Sequence, residues 1–524
     1  MLALVSALLH RIGVLRWVVL GLALVTLGAG TVLGAWAWHE KRPRTVRGSP
    51  TVEFADALRP PRRPETQLRS QADLRSRVQW PTYGYDVQRT HLAPGWPWLR
   101  PPYHGLWRLN AHGDIEFPPS VAYGKVYVAQ EQGRFYAVKA RTGKVVWRKN
   151  LRRCAAASPT IHKGIVYQAY MHSLPCGKHK SGARGFVIAW NARTGHEYWR
   201  VNVGSVESSP LVVDRLLYFG SWDHNIYSYE LRGKQRPRIG WTFRADDQVV
   251  AAPAYAKGVV FIATSNGSLY AVDGRTGRMR WHSSSFSRFG RREYFYATPT
   301  VAYDRVFVGN ADGTVYAFGA ESGHLLWAQH VGTYVYTAAA VWRKTIFVGT
   351  WDGYFLALDA RTGDVRWRFS APASITGAPT VLAGLVYFST CGRCGTGGLR
   401  RVKTGPRGTW ALNARNGQPT WRFHDGKYSP VVADGFRVYV VGRNKVYALI
   451  PRARWLMFQK SRAPARCDRL RRARARARCR SRARRGTSSG RRDSGTGART
   501  SRSQSRPRPT TGSQPAAGST AATP

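Results

Sequence analysis

Apolar and polar positions alternate with period two through most of the chain, in runs of four to seven residues separated by Gly-containing turns. This is the pattern of half-buried β-strands. The runs are themselves periodic. The stretch ALDARTGDVRW at 357–367 recurs as AVKARTGKVVW (137–147), AWNARTGHEYW (189–199), AVDGRTGRMRW (271–281), AFGAESGHLLW (317–327) and ALNARNGQPTW (411–421). Each copy predicts an apolar strand, a tight turn whose glycine takes positive φ at little steric cost, and a strand ending in Trp. Upstream of the copies lie further runs with turns at Asn266-Gly267, Asp312-Gly313 and Asp352-Gly353. Short strands introduced by Ser158-Pro159, Ser209-Pro210, Thr298-Pro299 or Ser429-Pro430 precede those. Four strands per repeat, at a period of 40 residues or more, predict a propeller.

The terminal tryptophans fix the number of blades. Trp107, Trp147, Trp199, Trp241, Trp281, Trp327, Trp367 and Trp421 are separated by 40, 52, 42, 40, 46, 40 and 54 residues. Three strands follow Trp421 with no Trp strand behind them, whereas Trp107 stands in a Trp strand with no blade in front. The expectation is an all-β, eight-bladed propeller of four-stranded antiparallel blades, the last closed by an N-terminal strand at 106–109, leaving no open sheet edge. One repeat, SYELRGKQRPRIGW at 228–241, lacks the Thr-Gly turn, and an irregular hairpin is expected there.

This A-x-D/N-x-x-T-G-x-x-x-W repeat resembles that of the pyrroloquinoline-quinone (PQQ)-like β-propeller superfamily, and the chain is similar to its BamB-like branch. The lead-in WPTYGYDVQRTHLAP, with Trp80, Tyr83, Asp86, Thr90 and Pro94, is similar to the segment that precedes blade closure there. The resemblance covers about residues 80–455 and implies the fold, while function has to be read from a site. In quinoprotein dehydrogenases it would imply PQQ, calcium held by Glu and Asn, an Asp base and a vicinal Cys pair. No adjacent Cys pair occurs in this sequence.

Outside the propeller, composition divides the chain. The run 17–38 carries no charge over about the length of a bilayer and has Trp at both ends, which predicts a transmembrane helix after a short segment 1–16. A retained signal anchor is expected, although Ala35-Trp36-Ala37 resembles a cleavage site. Flanking charges do not set its orientation. Residues 39–79 are rich in Pro and Arg and predict a semi-extended stalk, with a short helix near 65–78. The propeller is assigned to 80–458. The tail 459–524 opens on RLRRARARARCRSRARR, continues in Ser, Thr, Gly and Pro, and is expected to be disordered. With 81 Lys and Arg against 28 Asp and Glu the chain has a net charge of +53, so this tail suits anionic polymers or lipid headgroups. It has no aromatic residue for base stacking, so nucleic acid is not the expected partner.

Cys154 and Cys176, and Cys391 and Cys394, fall in the two longest repeats and are disulfide candidates, which favours the extracytoplasmic side of a cell membrane. A zinc reading of Cys391 and Cys394 would need His172 and His179. Cys467 and Cys479 lie in the tail.

Propellers present functional groups where each innermost strand begins. The residue three before the Ser/Thr-Pro proline, or its equivalent, is Glu116, Ala156, Glu207, Val250, Tyr296, Tyr336, Thr376 and Lys427 in successive repeats. Glu116, Glu207, Tyr296, Tyr336 and Lys427 form the candidate ligand- or partner-binding ring, and no catalytic or metal site is assigned. A non-catalytic, protein-binding scaffold without cofactor is the leading expectation. The alternatives are a PQQ- and calcium-dependent dehydrogenase and a ligand-sensing propeller.

Overall fold

The computed structural model describes residues 2–41, 44–49, 54–55, 77–93, 95–176, 182–288, 290–392, 394 and 403–457. The stalk helix expected near 65–78 falls mostly outside these residues, and Val78 itself is in a strand; the tail, Cys467, Cys479 and His179 lie wholly outside. Eight antiparallel sheets follow one another along the chain. Blade 1 comprises Ser120–Ala122, Lys125–Ala129, Arg134–Lys139 and Val145–Asn150, and blades 2 to 7 repeat that order up to Pro419–Phe423. Blade 8 consists of Gly426–Ala433, Val438–Gly442 and Lys445–Pro451, and its fourth strand is Tyr103–Asn110, paired antiparallel to Lys445–Pro451. The two ends of the propeller sequence therefore complete one sheet, as the surplus Trp107 strand requires.

What joins blade to blade is the recurring Trp. Trp147, in the outer strand of blade 1, donates Nε1–H to the carbonyl of Ala192 in blade 2 at 3.3 Å. Trp107 donates to Ala140, Trp241 to Gly274, Trp281 to Ala320, Trp327 to Ala360 and Trp367 to Ala414, at 2.9 to 3.3 Å. Because Trp107 belongs to blade 8 and Ala140 to blade 1, this contact closes the wheel. Each of these rings also lies flat on the turn glycine of the next blade. A Cβ added to Gly143, Gly195, Gly277, Gly323, Gly363 or Gly417 would come within 2.6 to 2.8 Å of the indole. The Thr-Gly turn is thus required twice, for positive φ and for the close approach of a ring from the neighbouring blade.

The atypical repeat departs as its sequence suggests. Its strands Asn225–Arg232 and Gln235–Arg244 pair with two register shifts, where the outer hairpins of the other complete blades show one. The indole that faces this blade is Trp199, and its buried Nε1–H has no hydrogen-bond partner.

The lead-in 77–93 fills the channel of the wheel. Its carbonyls accept backbone N–H groups from inner strands in six blades: Arg77 from Tyr123, Pro81 from Ile161, Val87 from Tyr255, Gln88 from Val301, Thr90 from Val341 and His91 from Val381. Arg89 is fully buried and reaches blade 3 as well, with Nη2 donating to Ser209 O at 3.3 Å. Its Nε donates to Pro253 O at 2.9 Å and its Nη1 to Tyr83 O at 2.6 Å. Five carbonyl and hydroxyl acceptors stand in for water around this cation.

At the N-terminus, Leu2–Lys41 is one helix, and its apolar stretch Val19–Glu40 is not buried inside the protein.

Candidate functional site

The innermost strands begin on one face of the wheel, and there the channel opens as a recess of about 80 Å³. Tyr83 of the lead-in segment lines it from within, against Ala252, Ala338 and Ala378. Four of the five ring residues read from the sequence, Glu116, Glu207, Tyr296 and Tyr336, line this recess. Lys427 turns aside. Its Nζ pairs with Asp114 at 3.3 Å and lies 4.1 Å over the Tyr428 ring, so Tyr428 lines the recess in its stead.

The recess has two unlike walls. One is acidic. Glu207 accepts from the hydroxyl of Tyr296 and, at 3.2 Å, from Nε1–H of Trp222. Burial pushes its carboxyl up to about 7, opposed by those two donors. Glu116 is exposed along the lumen, although protein surrounds its carboxyl at longer range. Burial, followed by the nearby Glu207 and Glu131 carboxylates, pushes it up to about 8, while Lys427 opposes. Burial also raises Glu131. The other wall is aromatic. Tyr296 meets Tyr336 edge-on at 4.8 Å, Tyr336 packs on Trp351 at 4.6 Å, and the Tyr294 and Tyr336 hydroxyls are 2.6 Å apart.

The described ends of two long loops lie on the same face. Cys154 and Cys176 are bonded and cluster with Ala156, Phe117 and Trp222 beside the recess. Cys391 and Cys394 are bonded to each other. The chain that follows them returns to this face, where Lys403 O accepts from Ser374 N at 2.8 Å, two residues before Thr376. His172 is buried against Trp222 at 5.8 Å. Among the described residues no three His, Cys, Asp or Glu side chains converge as a metal site would require. The recess is also well below the few hundred Å³ of ordinary cofactor pockets. The recess lining offers Glu116 and Glu207 but neither Asn nor Asp, so it does not supply the calcium ligands and base that the dehydrogenase resemblance implies.

Trp222 and Tyr428 were not singled out from the sequence, and Tyr83 only as part of the lead-in resemblance, not as a recess residue. Trp222 sits in a turn that breaks the Asx-Gly pattern, and Tyr428 is one place from the aligned position, so only the fold brings either to the recess.

These features define an eight-bladed, PQQ-like propeller closed by its own lead-in on one side of the recess. Residues 104–173, 183–338 and 311–462 match the family described as "Outer membrane protein assembly factor BamB", and the chain belongs to that family. It is 25% identical over 189 residues to the outer membrane protein assembly factor BamB of Shewanella oneidensis, covering 34% of this chain and 46% of that one. It is 27% identical over 182 residues to a quinohemoprotein alcohol dehydrogenase of Comamonas testosteroni, covering 30% and 24%. The matches thus span less than half the length of these curated relatives. The crystal structure of BamB from Moraxella catarrhalis superposes with a TM-score of 0.53 at 15% identity, over 66% of this chain and 99% of that chain. At that identity the likeness concerns the fold.

Proposed function

We propose that this protein is a membrane-anchored propeller on the extracytoplasmic side that binds a partner protein without catalysis, its recess receiving a cationic side chain of that partner. The observation that carries this reading is the pairing of the two walls. Glu207 and Glu116 offer carboxylates, and the Tyr296, Tyr336 and Trp351 rings offer π-faces, the two surfaces that together suit a desolvated Lys or Arg. The disulfide-tied loops beside the recess supply a wider rim for a protein surface, and their bonds suit an oxidising compartment. The exposed apolar helix supports a membrane anchor, and the BamB relatives support a scaffold role.

The test is photo-cross-linking in native membranes from a benzophenone residue at position 336. One defined adduct is expected, reduced roughly ten- to a hundredfold by Glu207→Gln, the worth of one charge-assisted hydrogen bond. An adduct of undiminished yield in Glu207→Gln would overturn the reading. The sequence similarity to quinohemoprotein alcohol dehydrogenases favours one second reading, a PQQ-dependent oxidoreductase. Dye-linked alcohol oxidation after adding PQQ and calcium to the purified chain would establish it in place of the first.

A further inference from the structure

Blade 3 departs from the docking rule of its neighbours, and the departure carries a cost. Its repeat 228–241 lacks the Thr-Gly turn, no side chain comes within 4 Å of a Cβ at its turn residue Gly233, and Trp199, which faces it, keeps a buried, unpartnered Nε1–H. A local rule broken without a gain in stability marks a place where the chain serves something other than the fold. What stands there is a longer outer hairpin. In blade 1 the third strand runs two residues past the docking pair Ala137–Trp147, to Lys139. In blade 3 it runs four residues past Ser228–Trp241, to Arg232, so the tip projects about 7 Å further. The innermost strands begin on the recess face, so this turn between third and fourth strands lies on the opposite face.

The tip gathers cations. Arg232, Lys234, Arg236 and Arg238 are exposed, and none forms an ion pair or a side-chain hydrogen bond among the described residues. The outer hairpins 184–204 and 225–244 hold one carboxylate each, Glu197 and Glu230, and these are engaged by Arg200 at 2.8 Å and Arg215 at 3.8 Å. The Lys234 ammonium lies 5.9 Å over the Tyr198 ring of blade 2, and the Tyr198 hydroxyl accepts from Asn191 Nδ2 at 2.5 Å. Asn191 Oδ1 in turn accepts from Arg193 N at 2.8 Å, and the Arg193 side chain is another exposed cation with no ion pair among the described residues. Burial, followed by the Arg193 guanidinium, lowers the ammonium of Lys125 in blade 1. Like charges from three successive blades thus crowd one another, an arrangement that repels itself until an anion enters it.

The strand Gln235–Arg244 is the outermost of its sheet, yet it is closed to strand addition: Pro237 has no N–H, and two register shifts break its pairing with Asn225–Arg232. Its cations therefore act through their side chains. We propose that this hairpin, together with Arg193, docks a flexible phosphate-bearing polymer on the face opposite the recess. Guanidinium forks each match a pair of phosphate oxygens. An acidic peptide is denied the main-chain pairing that edge-bound peptides use. A flat bilayer would meet the raised tip and miss Arg193, whereas a flexible chain reaches both. The site is separate from the recess and stands whether or not the recess takes a cation.

The test uses the full chain in detergent micelles, with an environment-sensitive fluorescent amino acid in place of Gln235, at the tip, or of Thr242, exposed toward the recess end of the same strand. Long-chain inorganic polyphosphate is the probe. A saturable emission shift is expected at 235 and none at 242, with an affinity that falls steeply as salt is raised. Arg236→Gln with Arg238→Gln, which leaves the Lys234–Tyr198 contact in place, should weaken binding several-fold and lower the salt slope by about 1.4, the share of two contacts to a single-stranded polyanion. Arg148→Gln with Arg244→Gln, an equal loss of charge at exposed positions elsewhere, should change neither. No shift at 235, whether or not polyphosphate binds elsewhere on the chain, would overturn the site, as would an equal shift at 242 or a response indifferent to the Arg236 and Arg238 substitutions. A response to polyglutamate in place of polyphosphate would make the occupant an acidic protein, and a response to phosphatidylglycerol vesicles at lower phosphate concentration would make it a bilayer; either result overturns the polymer.

Discussion

The indole of Trp147 lies on the α-carbon of Gly195 in the next blade, so closely that a Cβ there would be 2.7 Å from the ring. Gly195 has φ +76 and Gly164, in the same blade, has φ +79, yet nothing lies within 4 Å of a Cβ at Gly164. The pair separates backbone strain from docking. Both Gly→Ala changes should cost the roughly 1–2 kcal/mol of an L-residue held in the left-handed region. Gly195→Ala should lose about 1–3 kcal/mol more by displacing the indole. Urea unfolding of the two variants measures the difference directly, and equal losses would mean that Trp147 does not depend on this contact.

Trp199 supplies the complementary case. Its Nε1–H is buried and unpaired opposite the repeat that lacks Thr-Gly, whereas Trp241 donates to Gly274 O at 3.0 Å. Trp241→Phe removes one of two hydrogen bonds to Gly274 O, which keeps the one from the Tyr218 hydroxyl at 2.8 Å; Trp199→Phe removes a donor that had no acceptor. Both shrink the side chain alike, so Trp241→Phe should be the more destabilising by about 1 kcal/mol. A thermal melt that ranked them the other way would show that the hydrogen bond contributes little to docking.

Arg89 holds the lead-in segment in the channel. Arg89→Met keeps most of the volume but leaves the carbonyls of Tyr83, Ser209 and Pro253 without this donor, and a loss on the order of 3 kcal/mol or more is expected. Arg89→Lys should recover little of it, because a point charge cannot reach acceptors spread around a planar fork. Since Tyr83 follows the same segment, the fluorescence of Trp222 near the recess should shift in both variants. Full recovery of stability in Arg89→Lys would show that charge alone, without the fork, is what the channel needs.

The parts of this architecture that were legible in the sequence are those that repeat. Eight tryptophans at near-constant spacing encode eight blades, and the unpaired Trp107 strand encodes the closure, because each blade must offer its neighbour the same turn. The recess was legible for the same reason, through alignment on Ser/Thr-Pro, and failed only at Lys427, which Asp114 and Tyr428 draw away from the lumen. Features that occur once left no repeat to read. The lead-in 77–93 lacks period-two alternation and was legible only as a family resemblance, since it binds through backbone carbonyls that any residue supplies. Arg89 is the extreme case: in sequence it is one of many arginines, and only burial distinguishes it.

Glu207 gives the recess a pH signature with a definite sign. Its carboxyl titrates near 4.5 in an unstructured chain and near 7 in the fold, chiefly because burial disfavours the charged form. Between those values the folded state holds more protons than the unfolded one, so the associated stability is full below about 4.5 and declines as pH rises through about 7. The slope is at most about 1.4 kcal/mol per pH unit, and contact with lumen water makes it smaller. Glu207→Gln cannot ionise and should lose this slope. The difference in stability between variant and wild type should therefore move in favour of the variant from pH 5 to pH 8, whatever constant offset comes from altering the bonds to Tyr296 and Trp222. A cationic partner would oppose the decline by favouring the charged carboxylates, so its binding should tighten over the same interval. Parallel stability curves for the two proteins across that range would show that Glu207 is not held protonated by its surroundings, and a partner whose affinity fell between pH 6 and 8 would not be the cation that the acidic wall selects.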